Sequence, residues 1–332
     1  MSRRALIVGI DNYTNVSGLG GCVADAKSVQ QLIQRNQDST PNYDCRMLLA
    51  STDLGTTVSR AQLREECQNL ICDYAGDVLL YFSGHGALTS TGGYLGTSDA
   101  SRNDLGVSMQ EIMQMAYGCR AHDILMVLDC CHSGDMGNPP LLNIQGSSST
   151  LAALRENMTI ISASRDTQPA VEMGGHGVFT ALLLDALDGG AADHMGWVTG
   201  PAIYSYVERH FGAWEQRPVY KSHATNVTII RKCAPLIDRE KLIELAKLFP
   251  NPHDLLQLDA EYEPEDEKGN VREPVNENKV AVARLLKEFR DVGLVRPSRA
   301  GEQLYWTARN GNTVELTARG REYWRLIRFG RI

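Results

Sequence analysis

The chain has 332 residues, of which 43% are hydrophobic and 22% are charged, with a formal net charge of -7. This length allows one large domain and one small one, and the acidic balance argues against binding nucleic acid over the whole surface. No apolar run is long enough for a membrane span or a signal peptide. The eight cysteines lack paired spacing, as is typical of reduced thiols, so we expect a cytoplasmic protein.

Strand and helix patterns alternate over the first 233 residues. Apolar runs typical of buried parallel strands lie at 5–10, 45–50, 77–86, 123–131, 158–164 and 227–232. Helical spacing of apolar residues predicts helices at 22–36, 59–74, 107–118, 177–187 and 200–212, with Ser59 as a cap and Pro201 in a first turn. This alternation predicts an α/β fold with a mostly parallel central sheet and helices on both faces.

The pattern lapses at 134–157, which is rich in Gly, Pro, Ser and Asn and is interpreted as a mobile linker inside the first domain. After Cys233 the composition changes. An acidic run lies at 259–270, and from Lys279 onward 12 basic residues face 5 acidic ones, against 21 and 35 in the rest of the chain. We therefore predict two domains, at 1–233 and 234–332.

The second domain shows helical spacing at 238–249 and 278–292. In the stretch "QLYWTARNGNTVELT" (303–317), an Asn-Gly pair between alternating patterns predicts a β-hairpin, and a helix at 318–329 follows. Helix, two-stranded wing and helix in this order predict a small α+β, winged-helix-like domain. Because the first domain is acidic, we expect the second domain to bind a protein and not DNA.

The stretch "DCCHSGD" (129–135) contains two adjacent cysteines at the end of a predicted strand. Side chains on a strand alternate between faces, so Asp129 and Cys131 share one face and Cys130 points the other way, into the core. His132 points elsewhere and is interpreted as a structural hydrogen-bonding residue. A thiol with an ordinary pKa of about 8.5 needs a base to form the nucleophilic thiolate, so we expect that base at another strand end.

The stretch "YFSGHGAL" (81–88) offers such a base. His85 lies two residues beyond an apolar strand, between Gly84 and Gly86. Glycines let the backbone approach a reacting group, and the Gly86 N–H can point at a developing oxyanion. Ligands of open α/β sheets bind beyond the carboxyl ends of the strands, where both His85 and Cys131 are predicted to lie.

Together these two motifs resemble the caspase-like cysteine proteases, in particular the metacaspase and prokaryotic orthocaspase branch. Further stretches ("ALIVGIDNY", "GCVADA", "GYLGTSDA" and "ISASRDTQPAVE…GHGVFTALLLDAL") extend the resemblance over about residues 3–232. It implies a caspase-like three-layer sandwich and a cysteine endopeptidase with Cys131 as nucleophile and His85 as base. It also implies an oxyanion hole formed by the amides of Gly86 and Cys131.

The resemblance also implies a substrate class. In metacaspases the residues that correspond to Asp25, Ser83 and Asp129 line a pocket for Arg or Lys. Buried carboxylates form charge-assisted hydrogen bonds with a guanidinium and repel an aspartate. By analogy, such a protease serves prokaryotic stress responses or anti-phage cell death, with a regulated substrate such as a pore-forming protein. Two alternatives stay open: a catalytically silent caspase-like interaction protein, and a DNA-binding regulator that uses the winged-helix module.

No cofactor or metal is expected. Asp99 and Asp104 are candidate calcium ligands, but the paired acids of calcium-dependent metacaspases are missing further on, so we expect calcium to be at most weakly required. In the linker, Arg155 is the only basic residue between Ser133 and Met158. A self-processing enzyme would cut after it, unless Arg155 belongs to a short, poorly accessible helix leading into the next strand.

Overall fold

The chain divides into two units, each with dense internal contacts, and each is described by itself. The first comprises Met1–Ala192 and Gly196–Ala234, and the second Asp193–Met195 and Pro235–Ile332. The computed structural model describes residues 3–90, 92–130, 154–163, 172–173, 176–211, 217–265, 269–271 and 274–332. The predicted linker therefore lies almost wholly outside the described residues. None of the described helices is long and apolar enough to cross a membrane.

A six-stranded sheet is the framework of the first unit. The strands of this unit are β1 (Arg3–Ile10), β2 (Asp44–Ala50), β3 (Asp77–Ser83), β4 (Gly86–Thr89), β5 (Gly92–Leu95), β6 (Val107–Ser108), β7 (Ile124–Asp129), β8 (Met158–Ser162), β9 (Glu172–Met173), β10 (His176–Gly177), β11 (Trp197–Thr199), β12 (Val219–His223) and β13 (Ile229–Lys232). The central sheet has the order β12-β8-β7-β3-β1-β2. Its strands are parallel except β12, which is antiparallel to β8. The predicted α/β fold with a mostly parallel sheet is confirmed.

Helices cover both faces of this sheet. They are α1 (Cys22–Ile33), α2 (Arg60–Ile71), α3 (Met109–Gly118), α4 (Val178–Asp185), which continues into a π-helical turn at Ala186–Gly190, and α5 (Gly200–Glu208). Ser59 caps α2 by accepting the Gln62 N–H, as predicted. Alternate residues of each strand face opposite layers: Val8 and Phe82 pack with α2 and α3, and Ile7 and Tyr81 with α1, α4 and α5.

Two predictions about this unit need correction. The strand predicted at 227–232 forms, as β13, but it pairs with β11 in a separate two-stranded sheet. The sixth strand of the central sheet is β12, for which no strand was predicted. Its sequence "VYKSH" is half-buried to exposed because it lies at the sheet edge, so it lacks the apolar run that marks the inner strands. The stretch β4-β5-β6 forms a small antiparallel sheet beyond the end of β3.

The second unit contains α6 (Arg239–Leu248), β14 (Leu255–Gln257), a 3₁₀ turn at Ala260–Tyr262, α7 (Glu277–Asp291), β15 (Val295–Pro297), α8 (Leu304–Arg309), β16 (Thr313–Leu316) and α9 (Ala318–Arg328). A three-stranded antiparallel sheet has the order β14-β16-β15. The helices predicted at 238–249, 278–292 and 318–329 correspond to α6, α7 and α9.

The hairpin predicted at 303–317 is wrong in its first half, which is the helix α8. Leu304, Thr307 and Ala308 are buried on one side of this helix, a spacing of three and four residues. Gly311 has a φ of 63°, and its N–H donates to the carbonyl of Ala308. The Asn-Gly pair therefore ends a helix and does not form a hairpin turn. β16 pairs instead with β14 and β15, and the winged-helix interpretation remains a prediction.

Candidate active site

The carboxyl ends of β1, β3 and β7 lie side by side and carry the candidate site. β3 lies between β1 and β7, and Ser83, its last residue, is in register with Asp129, the last residue of β7. Gly9, near the end of β1, is level with Ser83 on the other side. His85 follows β3 by two residues. The topology thus brings His85 of the first motif and Asp129 of the second to one edge of the sheet.

Helix α1 begins at this same edge because two residues hold its first turn there. A Cβ atom on Gly9 would lie 2.4 Å from the carbonyl oxygen of Cys22, so only glycine permits this approach. The Asp11 carboxylate accepts the N–H groups of Cys22 (2.9 Å) and Val23 (3.2 Å), which have no partner inside the helix. Asp11, to which the sequence assigned no role, thereby positions Asp25 one turn further on.

Asp25 and Asp129 form a pair of buried carboxylates, 3% and 4% exposed. The Ser83 hydroxyl donates to Asp25 Oδ2 at 3.2 Å, and the Thr180 hydroxyl donates to Asp129 Oδ2 at 2.7 Å. Burial raises the pKa of Asp25 to about 6; the neighbouring Asp129 charge acts in the same direction, and the hydrogen bond from His176 opposes both. The site therefore holds an aspartate whose charge is costly and which a cation would stabilise.

His176 also belongs to this group, although it lies in neither of the two sequence motifs. Its Nδ1 lies 2.6 Å from Asp25 Oδ1, and its side chain is 23% exposed. The contact joins residues 151 positions apart, so no local spacing could have revealed it. The one available signal was its place just before the predicted helix at 177–187, within the stretch that extends the family resemblance.

The His85 ring is held in one orientation by a backbone contact. Its Nε2 lies 2.9 Å from the Ser17 carbonyl oxygen. A carbonyl can only accept a hydrogen bond, so Nε2 carries the proton and donates it. In the neutral ring this leaves Nδ1 with a free lone pair, ready to accept a proton. In the neutral ring, Nδ1 is therefore the nitrogen that can act as a general base.

Tyr13 fixes the backbone of His85. Its hydroxyl accepts the His85 N–H at 2.8 Å, and the two ring centroids are 4.6 Å apart. A Cβ atom on Gly84 would lie 2.7 Å from the Tyr13 hydroxyl oxygen. Glycine at position 84 thus makes room for the tyrosine that orients the histidine.

The amide of Gly86 points away from its strand partner. The Gly96 N–H donates to the His85 carbonyl at 2.8 Å, and Gly86 pairs with Leu95 in the antiparallel ladder. Hydrogen-bonded and non-hydrogen-bonded pairs alternate in such a ladder, so the Gly86–Leu95 pair is of the second kind. The Gly86 N–H is therefore not used by β5 and can donate to a substrate oxygen.

Of the two adjacent cysteines, the structure describes Cys130 and does not describe Cys131. Cys130 is 1% exposed and packs in the same apolar cluster as Leu128, whereas Asp129 faces the opposite layer and contacts Thr180. The opposite orientation of residues 129 and 130 is as expected for a strand. Cys131 and His132 lie outside the described residues, so their roles stay predictions. None of the seven cysteines that the structure describes forms a disulfide bond.

The two candidate calcium ligands, Asp99 and Asp104, form hydrogen bonds or ion pairs with other residues of the chain. Asp99 accepts the Arg60 N–H at 3.0 Å and the Thr97 hydroxyl at 2.6 Å. Asp104 forms an ion pair with the Arg60 guanidinium at 3.1 Å. Neither belongs to a group of three or more potential metal ligands within the described part of the chain.

Arg155 is not part of a helix; it lies just before β8. Its guanidinium donates to the Ala121 carbonyl at 2.5 Å and to Cys119 Sγ at 3.4 Å. The Arg155 side chain, which a self-processing enzyme would have to bind, is therefore hydrogen-bonded to the segment that follows α3.

Comparison with known families agrees with the fold. Residues 2–229 match the model of the caspase domain of peptidase family C14. A search of curated proteins finds no match. The matched region covers more than two thirds of the chain and contains both sequence motifs, the six-stranded sheet and the buried acid pair. The chain therefore belongs to the caspase-domain family of cysteine peptidases.

Proposed function

We propose that this chain is an endopeptidase that cleaves proteins after arginine or lysine, with Cys131 as nucleophile and His85 as base. The observation that carries the proposal is the buried pair Asp25 and Asp129 at the carboxyl edge of the sheet, the edge from which His85 also follows β3. Carboxylates form charge-assisted hydrogen bonds with guanidinium and ammonium groups, so a buried acid pair near the cleavage site favours a substrate with a cationic side chain.

Catalysis would proceed through an acyl-enzyme. His85 Nδ1 takes the thiol proton of Cys131, and the thiolate attacks the peptide carbonyl. The amides of Gly86 and Cys131 hold the oxyanion of the tetrahedral intermediate. His85 then protonates the leaving amine, and water attacks the thioester to release the carboxylic acid and restore the thiol. The Ser17 carbonyl, which accepts the proton on His85 Nε2, would keep the ring in its productive orientation throughout.

The acid pair would determine which substrates bind. A guanidinium placed between Asp25 and Asp129 compensates two carboxylates that burial has deprived of water, whereas an aspartate would add a third negative charge. Removing one acid should cost about 2–5 kcal/mol of transition-state binding if the contact is desolvated. Ser83 would complete the pocket by holding Asp25 through its hydroxyl.

The broader role is proposed by resemblance to the metacaspase and orthocaspase branch. We propose a prokaryotic stress or anti-phage cell-death protease whose regulated substrate is a protein such as a pore-forming one. The second unit, which we interpret as winged-helix-like, would contact a protein partner. Two of the arginines near its C-terminus favour this over DNA, because Arg321 donates to the Leu316 carbonyl and Arg328 to the Ala246 carbonyl within the unit.

Matched fluorogenic peptides test the proposal. Peptides that differ only in ending in Arg, Lys, citrulline or Asp before the reporter are offered to the wild type, to Cys131→Ala and to Cys130→Ala as the matched control. We expect cleavage after Arg and Lys only, loss of activity in Cys131→Ala and retention of most activity in Cys130→Ala. Citrulline has the shape of Arg without its charge, so equal cleavage of both would refute a role for the acid pair.

The same samples address the alternatives. If the chain is a catalytically silent interaction protein, a correctly folded wild-type sample would cleave none of the peptides. A DNA-binding regulator would shift a labelled duplex in a gel at physiological salt, and this shift would be lost on removing positive charge from α9.

A further inference from the structure

A cavity of about 220 Å³ opens at the amino-terminal ends of the parallel strands, the opposite edge of the sheet from His85. It is lined by the first residues of β3, β7 and β8, by the start of α5 and by the segment between β12 and β13. None of its lining residues takes part in the proposed peptidase site. The first unit therefore has a second concave site with its own chemistry.

The charged residues that line this cavity are both acidic, namely Asp77 and Asp123. Their side chains are 12% and 16% exposed. His122 Nδ1 lies 3.3 Å from Asp77 Oδ1 and 3.1 Å from Asp123 Oδ2, and Arg3 Nε lies 3.3 Å from Asp77 Oδ2. When the histidine is neutral, two carboxylates face a single guanidinium, which leaves one negative charge in a confined, poorly solvated space.

A tyrosine hydroxyl lines the same cavity. Tyr43 is only 5% exposed as a residue and contributes to the cavity wall, and none of the hydrogen bonds of the described residues is made by its hydroxyl. Tyrosine hydroxyls in largely buried positions normally have a partner. The charges of Asp77 and Asp123 act on this hydroxyl and, together with burial, raise its pKa. The Tyr43 oxygen is thus available as an acceptor beside two carboxylates.

The remaining walls are largely apolar. Val78, Ile124, Leu125 and Ile230 line the cavity next to the two acids. An engineered apolar cavity of about 150 Å³ holds a benzene molecule, so about 220 Å³ accommodates a ring with a short chain. This combination of an apolar wall and an acidic end suits a ligand with one apolar end and one cationic end.

The start of α5 does not provide a competing anion site. Helix N-termini attract anions through unpaired N–H groups, but Pro201 in this first turn has no N–H. The Thr199 hydroxyl accepts the Ala202 N–H at 3.4 Å. The polar groups of the cavity therefore favour positive charge.

We propose that this cavity binds a small organic cation, a primary amine or guanidine with an apolar body. The cationic group approaches Asp77 and Asp123 from the cavity, since His122 Nδ1 already bridges the two carboxylates. It donates to the Tyr43 hydroxyl oxygen, while the apolar body packs against Val78 and Ile124. The site lies away from His85, so it would serve as a ligand site separate from the peptide-binding pocket.

Isothermal titration of the full chain with phenethylamine tests this proposal, with 2-phenylethanol as a neutral ligand of the same shape. We expect saturable binding of the amine and at least tenfold weaker binding of the alcohol. Asp123→Asn should weaken amine binding at least tenfold, and Tyr43→Phe at least threefold. Asp44→Asn, at an exposed aspartate of β2, is the matched control and should leave binding unchanged.

A second variant keeps the test informative if Asp123→Asn does not fold. Ala224 is exposed and lines the cavity, so Ala224→Trp should fill the space and abolish binding without touching the acids. Absence of saturable amine binding to the wild type, or equal binding of amine and alcohol, would overturn the proposal. So would loss of binding in Asp25→Asn but not in Asp123→Asn, because the amine would then occupy the other acid pair.

A metal ion is the competing occupant and has its own outcome. His122 Nδ1 and single oxygens of Asp77 and Asp123 lie within 4.8 Å of one another. A saturable Zn²⁺ site that disappears in Asp123→Asn, in a protein that does not bind phenethylamine, would replace the organic cation with a metal. Amine binding that persists in the presence of Zn²⁺ chelator supports the proposal.

Discussion

Replacing Asp25 with asparagine should stabilise the fold and weaken the proposed function. Burial raises the pKa of this carboxyl from 3.8 to about 6, a shift of about two units. Each unit corresponds to about 1.4 kcal/mol, so at pH 7 the ionised carboxylate costs the folded state about 3 kcal/mol. An amide resembles the protonated acid but fits its neighbours less well. We therefore expect Asp25→Asn to gain about 1–3 kcal/mol at pH 7.

The sign of the pH dependence follows from the same shift. A raised carboxyl pKa means that the folded state binds the proton more tightly than the unfolded state. Stability therefore falls as the pH rises from about 4 to about 6, and the wild type bears the full cost above that range. The stability difference between Asp25→Asn and the wild type should be present at pH 7 and vanish near pH 4.

Thermal unfolding at both pH values measures this effect. For a unit of this size, about 1–3 kcal/mol corresponds to a rise in Tm of roughly 2–10 °C at pH 7. Asp44→Asn, at an exposed aspartate, is the control and should leave Tm unchanged. In the same variant, kcat/KM for the Arg peptide should fall by at least tenfold. A lower Tm at pH 7, or a gain of equal size at pH 4, would refute the burial argument.

Three further predictions follow from the geometry around the site. Gly84→Ala should lower kcat at least tenfold, because the new Cβ would lie 2.7 Å from the Tyr13 hydroxyl that holds His85. Gly118→Ala is the control, since its Cβ meets open space, and should leave kcat unchanged. Equal activity of the two variants would contradict this prediction. Activity should persist in excess EGTA, since Asp99 and Asp104 are already paired with Arg60 groups, and complete loss restored by Ca²⁺ alone would show the opposite. Intact-mass measurement after incubation should detect no new N-terminus at Glu156, because the Arg155 guanidinium is bonded to Ala121 and Cys119; a fragment beginning at Glu156 would show that this contact does not protect the bond.

Much of the first unit could be predicted from the sequence because its inner strands are apolar on both faces. β1, β3 and β7 are buried along nearly their whole length, and each contributes alternate residues to two apolar clusters. A continuous apolar run bounded by turn residues is the pattern of such strands. The helices between them show the corresponding 3.6-residue spacing.

The elements that were missed depend on contacts between distant residues or on mixed patterns. β12 is a polar edge strand whose formation depends on pairing with β8. The stretch at 304–309 has apolar residues at spacings that suit either a strand or a helix. A helix forms there because one face of α8 is buried and because Gly311 can end the helix.

The candidate site divides in the same way. The position of His85 after a predicted strand pointed to it as the base, and the family resemblance pointed to Asp25, Ser83 and Asp129. The structure brings these four residues to one edge of the sheet. The residues that position them were not foreseen. Asp11 caps α1 from another segment, and His176 contacts Asp25 across 151 positions.

Main-chain groups complete the site without any sequence signature. The carbonyl that fixes the His85 tautomer is a main-chain group, so any residue type in place of Ser17 would also provide it. The same holds for the Gly86 amide, whose direction follows from the pairing of β4 with β5. Such groups depend on backbone geometry, so only the folded chain reveals them.

The most direct test of the proposed function is to identify the residue labelled by an Arg-directed acyloxymethyl ketone, by peptide mapping and mass spectrometry. We predict a single adduct on Cys131, with labelling at least tenfold slower in His85→Ala and no comparable labelling by the corresponding Asp-directed ketone. A label on Cys130, or equal labelling by the Arg and Asp reagents, would contradict Cys131 as the nucleophile of an Arg-directed peptidase.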